Sequence, residues 1–274
     1  MIKKLLFATG VTLLALYPVK VSSQLEFTCG FDILMQRSLK EASKEAIELF
    51  QENVQRAMHA PLEESTLEWR GEEITIPVVF HVVWNKNSGN VPDEILLQQI
   101  RNLNRDFNML NPDIVKTPDA FKSFVGNPRI QFCLAAEDPW GNPTNGIVRV
   151  KTDIIHIAAT TIDALFYSHM GGSDAWNTNR YLNIWIAETG QLVAAYAIPP
   201  WYPNKDMWGI VITPGVFTRD MKDRTIVHEA AHYLGLLHLW GYDSYGRPTC
   251  DYDDGIDDTP TQYVPDIVCS ERPK

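Results

Sequence analysis

The chemistry of this chain is concentrated in one short segment, His228-Glu229-Ala230-Ala231-His232-Tyr233-Leu234-Gly235-Leu236-Leu237-His238. Residues four apart on an α-helix share a face one turn apart, so His228 and His232 can reach a single ion. Glu229 follows the first of them directly, where a carboxylate can act as general base on a metal-bound water. Gly235 suits the left-handed residue that ends a helix, and the turn it permits brings His238 round as a third nitrogen ligand. Three protein ligands leave a fourth position for water or substrate, which separates a catalytic zinc site from a closed structural one. The alternative is an amphipathic helix whose histidines are merely packed or solvated. Five specified residues at this spacing argue against it, since chance gives such a match in only about one in 10⁵ chains of this length; His238 with Gly235 also removes most of the ambiguity over the third ligand that a bare histidine pair around a glutamate would leave.

Two further groups could carry chemistry. Asp243, Asp251, Asp253, Asp254, Asp257 and Asp258 crowd the tail, closed by Thr259 and Pro260. Oxygen ligands at this density suit calcium, with a solvated acidic loop as the alternative. The four cysteines, Cys29, Cys133, Cys250 and Cys269, allow three pairings that spacing does not decide. A Cys250–Cys269 bond would close a loop worth about 3 kcal/mol, or the two stay unpaired. Cys133, within an apolar run, reads as a buried free thiol.

The elements that must position these residues begin with a sorting signal. Lys3 and Lys4 precede an apolar run from Leu5 to Leu16, and Val21-Ser22-Ser23 offers a small-residue cleavage site. The run is too short for a membrane anchor, which needs about 20 residues. A signal peptide over 1–23 and an exported, secreted or periplasmic protein are therefore expected, with no membrane partner after cleavage and disulfides permitted. Residues 31–60 are rich in Glu, Lys, Gln and Ala, with Leu34, Ala42, Ala46, Leu49, Phe50 and Val54 on one helical face. A polar stretch after Pro61 reads as a linker, so 24–70 is taken as a segment apart from one catalytic domain over 71–274; with the cysteine resemblance given below, that segment becomes a removable pro-region. There, Ile74 to Trp84 reads as a buried strand holding His81 as a packed histidine. Pro92-Asp93 opens a helix carrying Ile95, Leu96, Ile100, Leu103 and Phe107. Strand-like runs follow at Ile130 to Ala136, Gly146 to Val150, Tyr181 to Ala187, Leu192 to Ile198 and Gly209 to Ile212, then a helix from Asp223 to Leu234. This order predicts an α/β or α+β fold, a mixed sheet with helices against it. Formal charge of -10 over 274 residues supplies no basic field for phosphate backbones, so no nucleic-acid partner is expected.

Several stretches resemble the pappalysin family of metzincin zinc metallopeptidases, in particular its small ulilysin-like bacterial members. They are the extended histidine motif, Ile76-Pro77-Val78-Val79-Phe80-His81-Val82, Leu103-Asn104-Arg105-Asp106-Phe107-Asn108, Ile130-Gln131-Phe132-Cys133-Leu134-Ala135, Tyr181-Leu182-Asn183-Ile184-Trp185 and Asp254-Gly255-Ile256-Asp257-Asp258-Thr259-Pro260. The resemblance implies a twisted mixed sheet with a backing helix, an active-site helix and an irregular C-terminal subdomain. It also implies calcium at Asp254 and Thr259. Leu192 to Ala197, with Ala194, Ala195 and Tyr196 at its centre, resembles the family's edge strand, which pairs with an extended peptide; a plain core strand is the alternative. Thr28-Cys29-Gly30 resembles the family's pro-segment cysteine, whose thiolate would take the fourth zinc position and keep the enzyme latent. A disulfide role for Cys29 is the alternative. Processing would then fall near Arg70 or at Arg56.

Ala231 stands where relatives commonly have Gly, a mild change inside a helix. The larger departure is that no methionine follows Met221, so the Met-containing turn of metzincins is not encoded before Lys274. The expected protein is thus a monomeric secreted zinc endopeptidase acting on protein or peptide, made as a zymogen and truncated before that turn. Two rivals are an inactive zinc-binding exported protein and a zinc hydrolase acting on something other than peptide. Glu229 speaks against the first, the edge strand against the second.

Overall fold

The computed structural model describes residues 28–35, 52, 73–159, 162–190, 193–217, 224–242, 248–251, 254, 256, 260 and 262–264. The signal peptide, nearly all of the helical segment and linker after residue 35, Thr259 and Cys269 lie outside the described residues. Nine strands and two longer helices carry the argument: β1 (Thr28–Cys29), β2 (Ile74–Trp84), α1 (Asp93–Phe107), β3 (Ile130–Leu134), β4 (Ile147–Lys151), β5 (Leu182–Ile186), β6 (Val193–Ile198), β7 (Gly209–Ile212), α2 (Thr225–Tyr233), β8 (Gly241–Tyr242) and β9 (Pro248–Thr249).

The long apolar strand β2 organises the sheet, which runs in the order β1-β6-β7-β5-β2-β3 with β4 also on β2. β3 pairs with Ile74 to Val78 and β4 with Phe80 to Trp84, successive stretches of the same long strand. Every pairing in it is parallel except β6 with β7. Gly146, at φ 71°, lets the chain return between β3 and β4; a Cβ there would come within 2.9 Å of the Ala135 amide nitrogen.

Strands covered on both faces read as continuous apolar runs, and alternate residues here enter different clusters. Val78, Phe80, Val82, Leu182, Ile184, Ile186, Ile210 and Ile212 pack with Leu96, Ile100 and Leu103 of α1 and with Ile226 and Ala230 of α2. Val83, Trp185, Tyr196, Ile198 and Val211 pack on the opposite face with Ile157, Leu165 and Phe166. The fold is therefore the mixed α/β arrangement expected.

Side-chain hydrogen bonds account for the asparagines of Leu103–Asn108 and for Asn183 and Trp185 of Tyr181–Trp185. Asn104 on α1 donates to the Phe132 carbonyl (2.8 Å) and accepts from the Phe132 amide (2.7 Å), while Asn108 donates to the Ile130 carbonyl (3.1 Å). The helix thereby holds β3, the last strand of the sheet among the described residues, by satisfying backbone groups on its outer side. Asn183 accepts from the Trp176 amide (2.7 Å) and faces His81 Nε2 at 3.0 Å, and Trp185 donates to the Ser173 carbonyl (2.9 Å). His81 is thus the packed histidine expected. With Asn183 oriented by Trp176, Nε2 carries the ring proton and Nδ1 accepts from the Ser173 hydroxyl.

One expectation is overturned. Cys133 is a free thiol but an exposed one. β3 lies at the end of the sheet, so Phe132 turns inward and its neighbour turns to solvent.

Candidate active site

α2 is held at its start by Arg224, the residue before it. The guanidinium lies 2.7 Å from Asp106 at the end of α1 and grips Asp113 at 2.6 and 2.9 Å, the fork geometry of a strong pair. Those bonds hold the Asp113 carboxyl below the usual range. Ile226 and Ala230 then pack beneath the sheet, which lays α2 along β6 with Glu229 beside the Ala197 amide. Gly235, at φ 110°, ends the helix in the left-handed conformation.

The Nε2 atoms of the three histidines converge: His232 lies 3.0 Å from His228 and 3.0 Å from His238, and His238 lies 3.4 Å from His228. Zinc–nitrogen bonds of about 2.0–2.1 Å in tetrahedral geometry place ligand nitrogens about 3.3 Å apart, so the set fits the ion. Nδ1 of His232 donates to the Leu236 carbonyl (2.7 Å), leaving its Nε2 a bare lone pair. Nδ1 of His238 faces both oxygens of Asp32 at 3.1 and 3.2 Å. Lone pairs that face one another across this space cannot satisfy each other; a cation can. Desolvation, with His238 alongside, lowers His228 to about 4 although one side of that residue is exposed, and lowers the buried His232 to about 3, so both rings are neutral at pH 7 as ligands must be.

Glu229 is 1% exposed, and neither carboxylate oxygen makes a well-aligned hydrogen bond. Burial pushes it up to about 8, against which the nearby Cys29 thiol and Ala197 amide pull weakly. A carboxyl poised near neutral pH suits proton transfer in both directions.

Residues from the N-terminal segment complete the site. The sulfur of Cys29 and one ring nitrogen from each histidine all lie within 4.8 Å of one another. Burial, then the Glu229 charge, raises the Cys29 thiol when no cation is present. β1 adds to β6 in parallel, Gly30 donates to the Ala195 carbonyl (2.7 Å), and Phe31 stacks on His232 at 4.4 Å. Trp240 stacks on His238 at 4.2 Å. In the helical turn at 31–35, Phe31 joins the cluster on the α2 side and Leu34 the cluster on the other, so the turn straddles the sheet edge. Ala194, Ala195 and Tyr196 therefore lie in the strand that β1 covers.

The other predicted site residues are less connected to this centre. Asp254 accepts from the Ile256 amide (3.1 Å), and Cys250 is exposed with a free thiol. Sequence reasoning missed Phe31, Asp32 and Trp240. Asp32 lay three residues from a candidate thiol ligand, but nothing local linked it to His238.

Residues 167–272 match peptidase family M43, described as pregnancy-associated plasma protein-A. Mature mirolysin of Tannerella forsythia, solved with a cleaved peptide, is 40% identical with a TM-score of 0.65, covering 70% of this chain and 73% of that one. The chain belongs to the pappalysin family of metallopeptidases. A promirolysin mutant from the same organism is 33% identical with a TM-score of 0.71 and covers 86% of this pappalysin chain and 76% of its own. Proteins called extracellular metalloprotease in Arthroderma benhamiae and Trichophyton verrucosum are each 29% identical over 205 residues. The match covers 72% of this chain but only 58% of the length of either fungal relative. Membership of this family implies zinc, and the histidine cluster is the group of described residues suited to hold it.

Proposed function

We propose that this chain is the latent precursor of a secreted zinc-dependent endopeptidase in which Glu229 moves the proton. The observation that carries the reading is the convergence of three Nε2 lone pairs beside the buried, unpaired carboxyl of Glu229. Zinc held by His228, His232 and His238 would polarise the scissile carbonyl and lower the pKa of the attacking water. Glu229 accepts the proton of that water on a carboxylate oxygen and passes it to the leaving amine nitrogen. β6 offers Ala194 to Tyr196 as a template for an extended peptide, and the Gly30–Ala195 bond supports this by using a strand edge of the kind a substrate would use.

Latency is supported by the position of Cys29 beside the histidines and by the greater coverage of this chain by the pro form than by the mature form. On this reading, removal of 24–70 by cleavage near Arg70, or earlier at Arg56, uncovers β6 and the ligands. Export through a signal peptide over 1–23 fits the extracellular naming of the fungal relatives. Among the described residues, no helix is long and apolar enough to cross a membrane. Calcium at Asp254 and Thr259 completes the proposal for the tail, where Cys250 stands as a free thiol rather than in the bond to Cys269 that the sequence offered.

The test is to incubate processed protein with a mixed peptide library, with and without a chelator. Cleavage that the chelator abolishes is expected. Glu229→Gln should keep its zinc and lose turnover by about 100-fold or more; retained cleavage in that variant refutes the assignment.

A further inference from the structure

Metal-binding histidines are oriented through the ring nitrogen that does not bind the metal. For His232 that partner is the Leu236 carbonyl, a group of its own turn. For His238 it is the carboxylate of Asp32, with both oxygens 3.1–3.2 Å from Nδ1. The His238 side chain is only 4% exposed and Trp240 covers one face of the ring, so ring plane and tautomer are set from those two directions. A carboxylate on Nδ1–H fixes the proton there, keeps Nε2 as the lone pair, and makes that nitrogen a stronger donor to a cation.

We propose that Asp32 is a positioning residue for the metal: it orients His238 and tightens zinc in the full-length chain. This rests on the reading of residues 24–70 as a removable latency segment. The third ligand of the site therefore takes its orienting carboxylate from the part of the chain that processing discards. Full-length protein should therefore hold zinc more tightly than processed protein. The thiol of Cys29 and the carboxylate of Asp32 act at different points, the first beside the metal position and the second behind a ligand.

The experiment measures zinc affinity of the full-length chain by competition with a chromophoric chelator. Wild type, Asp32→Ala, Asp32→Asn, Cys29→Ala and the Cys29→Ala/Asp32→Ala double variant are compared. Loss of such a partner lowers metal affinity by about 10- to 100-fold, and this drop is expected for Asp32→Ala in both the wild-type and Cys29→Ala backgrounds. Asp32→Asn, which keeps an acceptor but no charge, should fall between. In nitrogen-15 histidine spectra the His238 Nδ1–H resonance should be protected in wild type and lost in Asp32→Ala. Unchanged zinc affinity in Asp32→Ala overturns the proposal. So does a drop that vanishes in the Cys29→Ala background, because Asp32 would then only dock the thiol. A drop in both backgrounds, with latency unaltered by Cys29→Ala, leaves the role of Asp32 standing and sinks the thiol reading instead.

Discussion

Gly30→Ala tests whether the N-terminal segment is a tightly fitted plug. A Cβ at Gly30 would lie 2.6 Å from Cγ1 of Val193 and 3.3 Å from both the Ala195 carbonyl oxygen and Cβ of Tyr196. Val193 is 3% exposed and β-branched, so it has no flexible tip to swing aside. Overpacking of this kind costs about 1–3 kcal/mol, or about 5- to 150-fold in an equilibrium. The cost falls on the docked state alone, since Gly30 touches nothing of the sheet once residues 28–35 have left. The assay is the rate at which Cys29 reacts with a thiol reagent in zinc-loaded full-length chain, with Cys133, Cys250 and Cys269 changed to serine. Labelling, and any leak of peptidase activity, should rise by that factor while the processed enzyme is unaltered. A labelling rate within about twofold of wild type refutes the reasoning, because a clash worth about 1 kcal/mol must move it further.

Burial takes His81 from its ordinary 6.5 down to about 4, so between those values the unfolded chain holds a proton that the folded chain does not. Stability from this group is complete above the unfolded value and falls with pH toward the folded one, by about 2 kcal/mol between pH 7 and pH 5. His228 and His232 carry the same sign, so the check is urea unfolding of metal-free wild type against His81→Asn; equal pH slopes count against it. Asn104→Ala strands the Phe132 amide and carbonyl and should cost about 2 kcal/mol, read as a lower urea midpoint at unchanged m. Calcium should raise the melting temperature of the full-length chain and Asp254→Ala should abolish that rise; a calcium response that survives the substitution removes Asp254 from the site.

The candidate site was legible because its parts are close in sequence. Helical period puts His228 above His232, and a glycine able to reverse the chain precedes His238 by three residues, so local geometry alone assembles the three histidines. The strands were legible for a similar reason, since burial on both faces leaves unbroken β-branched runs such as Ile74 to Trp84. Cys133 was misread because a run of apolar residues conceals a period of two; Ile130, Phe132 and Leu134 mark one face and the cysteine the other. Asp32 was invisible for a different reason. Its partner His238 lies 206 residues away, and a single aspartate in the apolar run Phe31-Asp32-Ile33-Leu34-Met35 carries no period to betray a long-range bond.

β6 reads Val193-Ala194-Ala195-Tyr196-Ala197-Ile198, with no charge and no proline. Such a strand is a template for other chains wherever its outer backbone groups are bare, and natural sheets guard their edges with lysines, prolines, bulges or covering segments. Here the guard is β1, anchored by Phe31 and Leu34 on opposite faces. Once the guard is gone, a substrate and a second uncovered molecule compete for the same row of hydrogen bonds. Self-association should therefore rise with concentration in the uncovered form, and a peptide seated on β6 should act as a solubiliser as well as a ligand.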